Sequence, residues 1–475
     1  MIKRKMKLKN KHITHFIAVL LFSTLFGINA NAQTMHYDEF ISIVKKHHPL
    51  AKQAELQLNY GEANLQQSRG LFDPKIISEL SQKYFNEKQY YSHFNAQLKI
   101  PTWFGIELKS LYENNTGINL NPEFNTPSKG LLVTGVSVPL AQGLFIDKRR
   151  AELFKAKKFL EISEYERQIL LNELIKQASV AYWEWFKAYN KLKVYEEIVD
   201  LAKNRLEFVK NEAIIGEKPN IDTLEASIQY NNRLNTLLET QQLYYEKTKL
   251  LEVYLWQDGL IPMELTKNVT PEIIDNISPS IILADSVRLD TIINNHPKLN
   301  KLQTYIEQKN IDLRLYREYF KPKINLNYNP IVEPLDNNFL TQYSLSNYKW
   351  GIDIALPILY RKERGYVNTK KLEIKDYNLQ KEYLRLEYFK TIQTFINNIN
   401  TTYKRFSISN KLSADSYRLL MSEKELYEAG ESSLFKLNSR EVYFMKYKTD
   451  LIDILTENKK AEVYFYYYSG NLFKL

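Results

Sequence analysis

Two hydrophobic patterns divide the chain. In four segments apolar and polar positions alternate with period two, the mark of strands with one apolar face. Phe94, Ala96, Leu98 and Ile100 alternate with His93, Asn95, Gln97 and Lys99, and Leu132, Thr134, Val136 and Val138 with Val133, Gly135 and Ser137. Later, Ile324, Leu326 and Tyr328 oppose Asn325, Asn327 and Asn329, and Trp350, Ile352, Ile354 and Leu356 oppose Lys349, Gly351, Asp353 and Ala355. Residues 105–114 predict a further strand and 76–85 a weaker one, so the expected number is four, and up to six.

The second pattern is helical, and the helix breakers delimit it. Stretches 140–218 and 358–475 contain no proline. Glycine is absent from 144 to 215, then from 220 to 258, and again from 366 to 429 and from 431 to 469. Proline and glycine are the residues that most often interrupt helices. The spacing therefore predicts two long helices, each followed by a glycine turn (Gly216 and Gly430) and a return helix of about 39 residues. A helix of about 65 residues would be about 100 Å long.

The two patterns recur in the same order, which makes the chain a tandem repeat. His48-Pro49 is followed 25 residues later by Pro74-Lys75-Ile76, and His296-Pro297 after the same interval by Pro322-Lys323-Ile324. Alternating segments then end at Val138-Pro139-Leu140 or Leu356-Pro357-Ile358. The copies differ mainly between the second and third of these landmarks, 65 residues in the first copy and 35 in the second, so the first copy carries an insertion. The insertion is either extra strands or a long loop, and Asn114–Pro122 with Asn125–Ser128 has loop chemistry. The predicted division is 33–257 as the first repeat, 258–290 as a linker and 291–475 as the second repeat.

Residues 1–32 read as a secretory signal peptide. Lys3, Arg4, Lys5, Lys7, Lys9 and Lys11 precede an apolar run from Phe16, and Ala30-Asn31-Ala32 supplies small residues for cleavage. This segment holds six of the basic residues and no acid, so the formal charge falls from +10 for the whole chain to +4 for the remainder. A modest charge of that size gives no reason to expect nucleic acid as a partner. With no cysteine among 475 residues, disulfides and thiolate metal sites are excluded. Glycine is scarce at 14 residues, while Tyr and Phe together number 57, a balance that favours long helices over a glycine-rich α/β enzyme.

No enzyme constellation emerges. The sequence has no Gly-x-Ser-x-Gly, no phosphate-cradling glycine loop and no His-Glu-x-x-His, so no catalytic residue, cofactor or metal site is assigned. His48 and His296 hold equivalent repeat positions before proline, where a polar ring organises a turn. The aromatic run Tyr182-Trp183-Glu184-Trp185-Phe186, with Tyr189, is expected to pack between helices rather than to cage a ligand. Lys155, Lys157 and Lys158 read as a solvated helix face.

An exported chain whose few strands carry one apolar and one polar face fits a barrel wall, with lipid outside and water inside. Four to six strands do not close a barrel, and an open sheet edge in lipid leaves backbone groups unpaired at several kcal/mol each. The barrel is therefore expected to be shared between subunits.

In these features the chain resembles the TolC-like outer-membrane efflux proteins over about residues 36–472. The duplicated His-Pro start, the Pro-x-Ile strand entry, the Pro-Leu or Pro-Ile strand exit and the turn glycines carry the resemblance. It implies a mainly α fold with tandem helical hairpins forming an α-barrel and strands joining a shared β-barrel, twelve-stranded in a homotrimer. It further implies a non-enzymatic duct in outer-membrane lipid that extends into the periplasm. A periplasmic adaptor and an inner-membrane pump of RND or ABC type would engage it, for efflux or type I secretion. The alternative is a periplasmic adaptor protein, which shares helical hairpins but normally has one, with glycine-rich β domains.

The resemblance places Gly216, Glu217, Gly430 and Glu431 at a periplasmic tip that meets the adaptor. Where well-known members ring their entrance with carboxylates, six and nine positions past the second-copy glycine, this chain has Lys436 and Ser439. The corresponding first-copy residues are Asp222 and Glu225. Asp222 and Lys436 either pair across adjacent helices or stand as separate solvated charges.

Overall fold

The computed structural model describes residues 33–266, 268–282, 288–333 and 344–474. The proposed signal peptide lies outside them. In chain order the first repeat contains β1 (Gln33–Met35), α1 (Tyr37–His47), α2 (Pro49–Arg69), β2 (Lys75–Phe85), β3 (Lys88–Pro101), β4 (Glu107–Thr116), β5 (Leu131–Pro139), α3 (Lys148–Ile214) and α4 (Asn220–Glu252). Short strands β6 (Trp256–Gln257), β7 (Ile261–Pro262) and β8 (Val269–Pro271) follow. The second repeat contains α5 (Leu289–Asn294), α6 (Pro297–Glu318), β9 (Lys323–Val332), β10 (Tyr348–Ala355), α7 (Arg361–Glu428) and α8 (Leu434–Tyr468).

Both long helices are unbroken, at 67 residues for α3 and 68 for α7. The return helices α4 and α8 are shorter than the glycine spacing suggests, at 33 and 35 residues. Local chemistry sets several ends. The Asp147 carboxylate accepts the N–H of Arg150 at 2.8 Å ahead of α3, satisfying a first-turn donor. At α6, His296 Nδ1 accepts the N–H of Lys298 at 3.1 Å and Pro297 occupies the first helical position. The predicted turn role of His296 is thus met by a side-chain cap. His48 instead stacks its ring on Tyr254 at 5.9 Å, with Trp256 edge-on.

The chain forms two compact units, each drawn from both repeats, so the spatial division differs from the division by sequence. The first unit comprises residues up to His48, Ala178–Ser280 and Thr402–Lys460. Its core contains the aromatic run: Tyr182, Trp185 and Phe186 are fully buried and Trp183 nearly so. The Tyr182 hydroxyl donates to the Met35 carbonyl at 2.9 Å and Trp185 Nε1 to Thr248 at 3.1 Å. Both polar tips are satisfied, as buried Tyr and Trp require. Burial drives the Tyr182 hydroxyl pKa far above its ordinary value, so it stays a neutral donor. The run packs helices, as expected.

The second unit comprises Pro49–Gln177, Ile281–Thr401 and Ala461 onward. One of its cores joins Ile293 and Leu299 to Ile392, Ile396 and Ile399 of α7 and to Ala461 and Phe465 of α8. The spacing 392, 396, 399 places these isoleucines on one stripe of the helix. Lys155 and Lys158 are not merely a wet face, because they reach Asp312 (3.1 Å) and Glu307 (2.8 Å) on α6. Six strands form one antiparallel sheet in the order β10-β9-β5-β4-β3-β2.

Candidate functional site

The sheet has two chemically different faces, and the strand register aligns them. On one face Ile76 opposes Leu98, Leu80 opposes Phe94 and Ile100 opposes Leu108. The line continues through Leu108–Val136, Val136–Tyr328, Leu326–Ile352 and Ile324–Ile354. These side chains are not covered: Ile76 is 82% exposed, Ile354 70% and Trp350 62%. Tyr84, Phe85, Tyr348 and Trp350 at one end of the strands and Trp103 and Phe104 at the other are exposed as well.

The opposite face is mainly polar, with Leu111, Val133 and Ile331 in register as an apolar exception. Lys75, Lys99 and Lys109 lie in direct register across three neighbouring strands. Asn327 donates to Asp353 at 2.7 Å, and His93 Nδ1 lies 3.0 Å from Asn115 Oδ1. Near the start of β4, Glu107 lies 3.4 Å from Arg149 and 3.8 Å from Lys109. The weaker candidates, 76–85 and 105–114, are both full strands. Asn114 to Thr116, read as loop, continue β4, with Asn115 buried and its amide donating to the Phe124 carbonyl at 3.0 Å.

Six strands in one sheet answer the question of the insertion, which is an additional hairpin. They also alter the count that the resemblance implies, since four strands per chain give twelve for three chains. The sheet is open, with β2 and β10 at its two edges.

In the first unit, the two glycine turns share one backbone device. Gly216 (φ +86°) donates to Ala213 and Glu217 to the Glu212 carbonyl, while Gly430 (φ +79°) donates to Tyr427 and Glu431 to Leu426. Both are Schellman motifs, in which a left-handed glycine satisfies the last helical carbonyls. Gly216, Glu217, Gly430 and Glu431 are all exposed. So is Lys436, whereas Asp222, Glu225 and Ser439 are partly buried.

Among the described residues Asp222 and Lys436 form no ion pair with each other. The interhelical link runs through their neighbours. Asn438 donates to Glu225 at 3.1 Å, and Asn438 also bonds Arg205. Glu441, 1% exposed, takes Arg205 and, at 3.3 Å, Arg233. The network thereby ties α3, α4 and α8 together. On α7, Glu423 accepts from Ser432 and from Arg440 at 3.3 Å, and the Ser432 bond followed by the Arg440 guanidinium holds its carboxyl below the usual carboxylate range. Beside this network the Tyr427 hydroxyl is buried without a hydrogen-bond partner at a cavity of about 160 Å³. The sequence signalled only Glu225 of this group, because the partners of Glu441 lie more than 200 positions away and follow no local spacing.

No protein-family model matches the chain, and no curated protein is similar to it in sequence. Solved structures are similar in fold. The CmeC outer membrane channel of Campylobacter jejuni matches with a TM-score of 0.65 at 15% identity, over 92% of this chain and 85% of that one. The outer-membrane channel OprN gives 0.67 at 13% identity, over 92% and 90%. The chain has the TolC-like fold. The MtrE outer membrane channel of Neisseria gonorrhoeae, in its open state, also matches this TolC-like arrangement, at 0.65 and 13% identity over 94% and 93%. At such identities the likeness is one of fold, and residue roles rest on the geometry of this chain. None of the described helices is long and apolar enough to cross a membrane.

Proposed function

We propose that the chain is a passive outer-membrane channel, the exit duct of a tripartite efflux or type I secretion system. The observation that carries this reading is the sheet: apolar and uncovered on one side, mainly polar on the other, and unpaired at both edges. Strands of 8 to 14 residues suit a hydrocarbon core, which a tilted strand crosses in about 9–11 residues. Aromatic residues at both strand ends suit the two interfaces. An apolar face of this extent in water would be an aggregation hazard; in lipid it is solvated.

On this reading the polar face lines water, and further copies of the chain supply the partners of the edge strands, in a homotrimer. The helical hairpins carry the duct into the periplasm. Gly216, Glu217, Gly430 and Glu431 offer an exposed contact for a periplasmic adaptor, and energy comes from an inner-membrane pump of RND or ABC type. The TolC-like fold with two hairpin copies counts against the adaptor alternative.

Reconstitution in planar lipid bilayers tests the reading. Detergent-extracted trimers are expected to give stepwise conductance, while protein recovered from the water-soluble fraction as a monodisperse monomer would overturn it.

A further inference from the structure

The second repeat supplies one hairpin to the sheet, β9–β10, whereas the first supplies two, β2–β3 and β4–β5. Resting on the channel reading, we propose that the additional hairpin is part of the membrane wall. In that arrangement β2 of one copy pairs with β10 of the next, and three copies close an eighteen-stranded barrel.

Three observations support the seam. The hairpin is built rather than loose: Asn86 and Glu87 have φ of +50° and +58°, the two left-handed residues that a tight type I′ turn requires. Its faces continue those of the other strands, with Ile76 and Leu80 in register with Leu98 and Phe94 on the apolar side and Lys75 beside Lys99 on the polar side. Six strands that are antiparallel throughout leave the two edges running in opposite directions, so a head-to-tail neighbour meets β2 with an antiparallel β10. Were the hairpin outside the wall, β4 would need the pairing that β3 already provides. Barrel diameter grows roughly linearly with strand number, so eighteen strands make a bore about 1.5 times as wide as twelve. This range is that of porins with an aqueous channel.

The natural absence of cysteine makes disulfide scanning clean. Cysteines placed singly at Glu79, Ser81 or Lys83 on β2 would be combined with one at Lys349, Gly351 or Asp353 on β10. A control set would combine the same β10 positions with Leu111 or Glu113 on β4, which share the polar face. After oxidation in membranes, at least one β2–β10 pair is expected to give a covalently closed trimer, and the β4 set none. Closure through β4 would mean a twelve-stranded wall with the hairpin outside it. A largest closed product of two chains would mean twelve strands from a dimer, and no β2–β10 product from the scan would mean that these edges do not adjoin. Each of these three outcomes overturns the proposal. Conductance by uncross-linked trimers would show in each case that the channel reading itself survives.

A separate observation concerns charge. Lys75, Lys99 and Lys109 occupy one transverse line of the polar face, and Lys349 lies opposite Asn329 on the same line. Between Lys109 and Asn329 stands Gly135, where a Cβ would fall 2.8 Å from the Asn329 Cα. Like charges directly opposite each other destabilise a sheet. Among the described residues Lys75, Lys99 and Lys349 have no ion-pair partner, so the cost stands uncompensated. We infer that this lysine line is a site for small anions or anionic groups of the cargo, set obliquely around the bore because barrel strands tilt. Reversal potentials in a KCl gradient test it. The triple variant Lys75→Gln, Lys99→Gln, Lys349→Gln is expected to shift toward cation preference with unit conductance still measurable. An unchanged reversal potential in conducting trimers would overturn the site.

Discussion

Gly430 and Gly470 end the two helices of the second-repeat hairpin with the same backbone motif, in opposite surroundings. Gly470 (φ +71°) donates to Tyr467, and Asn471 to Tyr466, as Gly430 and Glu431 do to Tyr427 and Leu426. A Cβ on Gly430 would meet nothing within 4 Å, whereas one on Gly470 would lie 2.5 Å from Pro297 Cδ and 3.0 Å from His296. One motif is therefore only a helix stop in open space, and the other is also a packing contact with the repeat's His-Pro landmark. Valine substitution separates these roles. Gly470→Val combines overpacking with left-handed strain and is expected to cost about 2–5 kcal/mol. Gly430→Val carries the strain alone, about 1–2 kcal/mol. At that smaller cost the fold is expected to survive, and on the proposed reading of this turn as an adaptor contact, adaptor-dependent efflux is expected to fall. Thermal unfolding of both extracted variants checks the contrast, and equal losses would show that the motif rather than its surroundings sets the cost.

The same division between crowded and open positions occurs along α8. Glu441 is enclosed by Arg205 and Arg233, and Glu441→Ala leaves two guanidinium groups without their carboxylate, an expected loss of about 3 kcal/mol. Glu441→Gln keeps a hydrogen-bond acceptor and is expected to lose less. Denaturant midpoints for the pair measure the difference, and a neutral Glu441→Ala would mean that the three helices are held without this network.

What the sequence disclosed follows from how local each signal is. Helix breakers and period-two alternation act within a few residues, so the long helices, the glycine turns and the strands were all legible. The extra hairpin was legible in part: 76–85 and 105–114 alternated as candidate strands, while Asn-rich composition at 114–116 suggested loop where the β3–β4 register extends the strand. Interhelical partners were illegible for a different reason. Glu441 and Arg205 belong to different repeats, and nothing in the spacing of either helix singles them out from the many charges on exposed faces. Asp222 and Lys436 looked suited to each other by repeat position, yet Glu225 and Asn438, one turn along α4 and two residues along α8, make the hydrogen bond.

His296, the residue that crowds Gly470, makes the comparison depend on pH. Burial first and Lys298 second push its pKa down to about 3, and its Nδ1 must stay unprotonated to cap α6. An unfolded chain titrates this ring near 6.5. Its contribution is therefore fully present above pH 6.5. As pH falls toward 3 the unfolded state takes up a proton that the fold excludes, and stability declines by at most about 1.4 kcal/mol per pH unit. Replacing His296 with Asn, which retains an acceptor without a titrating group, is expected to flatten that part of the stability–pH profile. An unchanged slope would assign the acid sensitivity to other groups.

Lys436 stands on the open side of the comparison, exposed beside the Gly430 turn and close enough to Glu423 to contribute to its depressed pKa. A solvated charge of this kind contributes little to folding, so Lys436→Asp is expected to change stability by no more than about 0.5 kcal/mol. On the proposed channel reading its effect belongs to ion flow. If three copies place this residue around the periplasmic entrance, reversing the charge exchanges repulsion of cations for attraction. Reversal potentials would then move toward cation selectivity, more at low salt than at high because exposed charges are screened. A variant with wild-type selectivity at low salt would take Lys436 out of the conduction path and leave the lysine line of the sheet as the charge that passing ions meet.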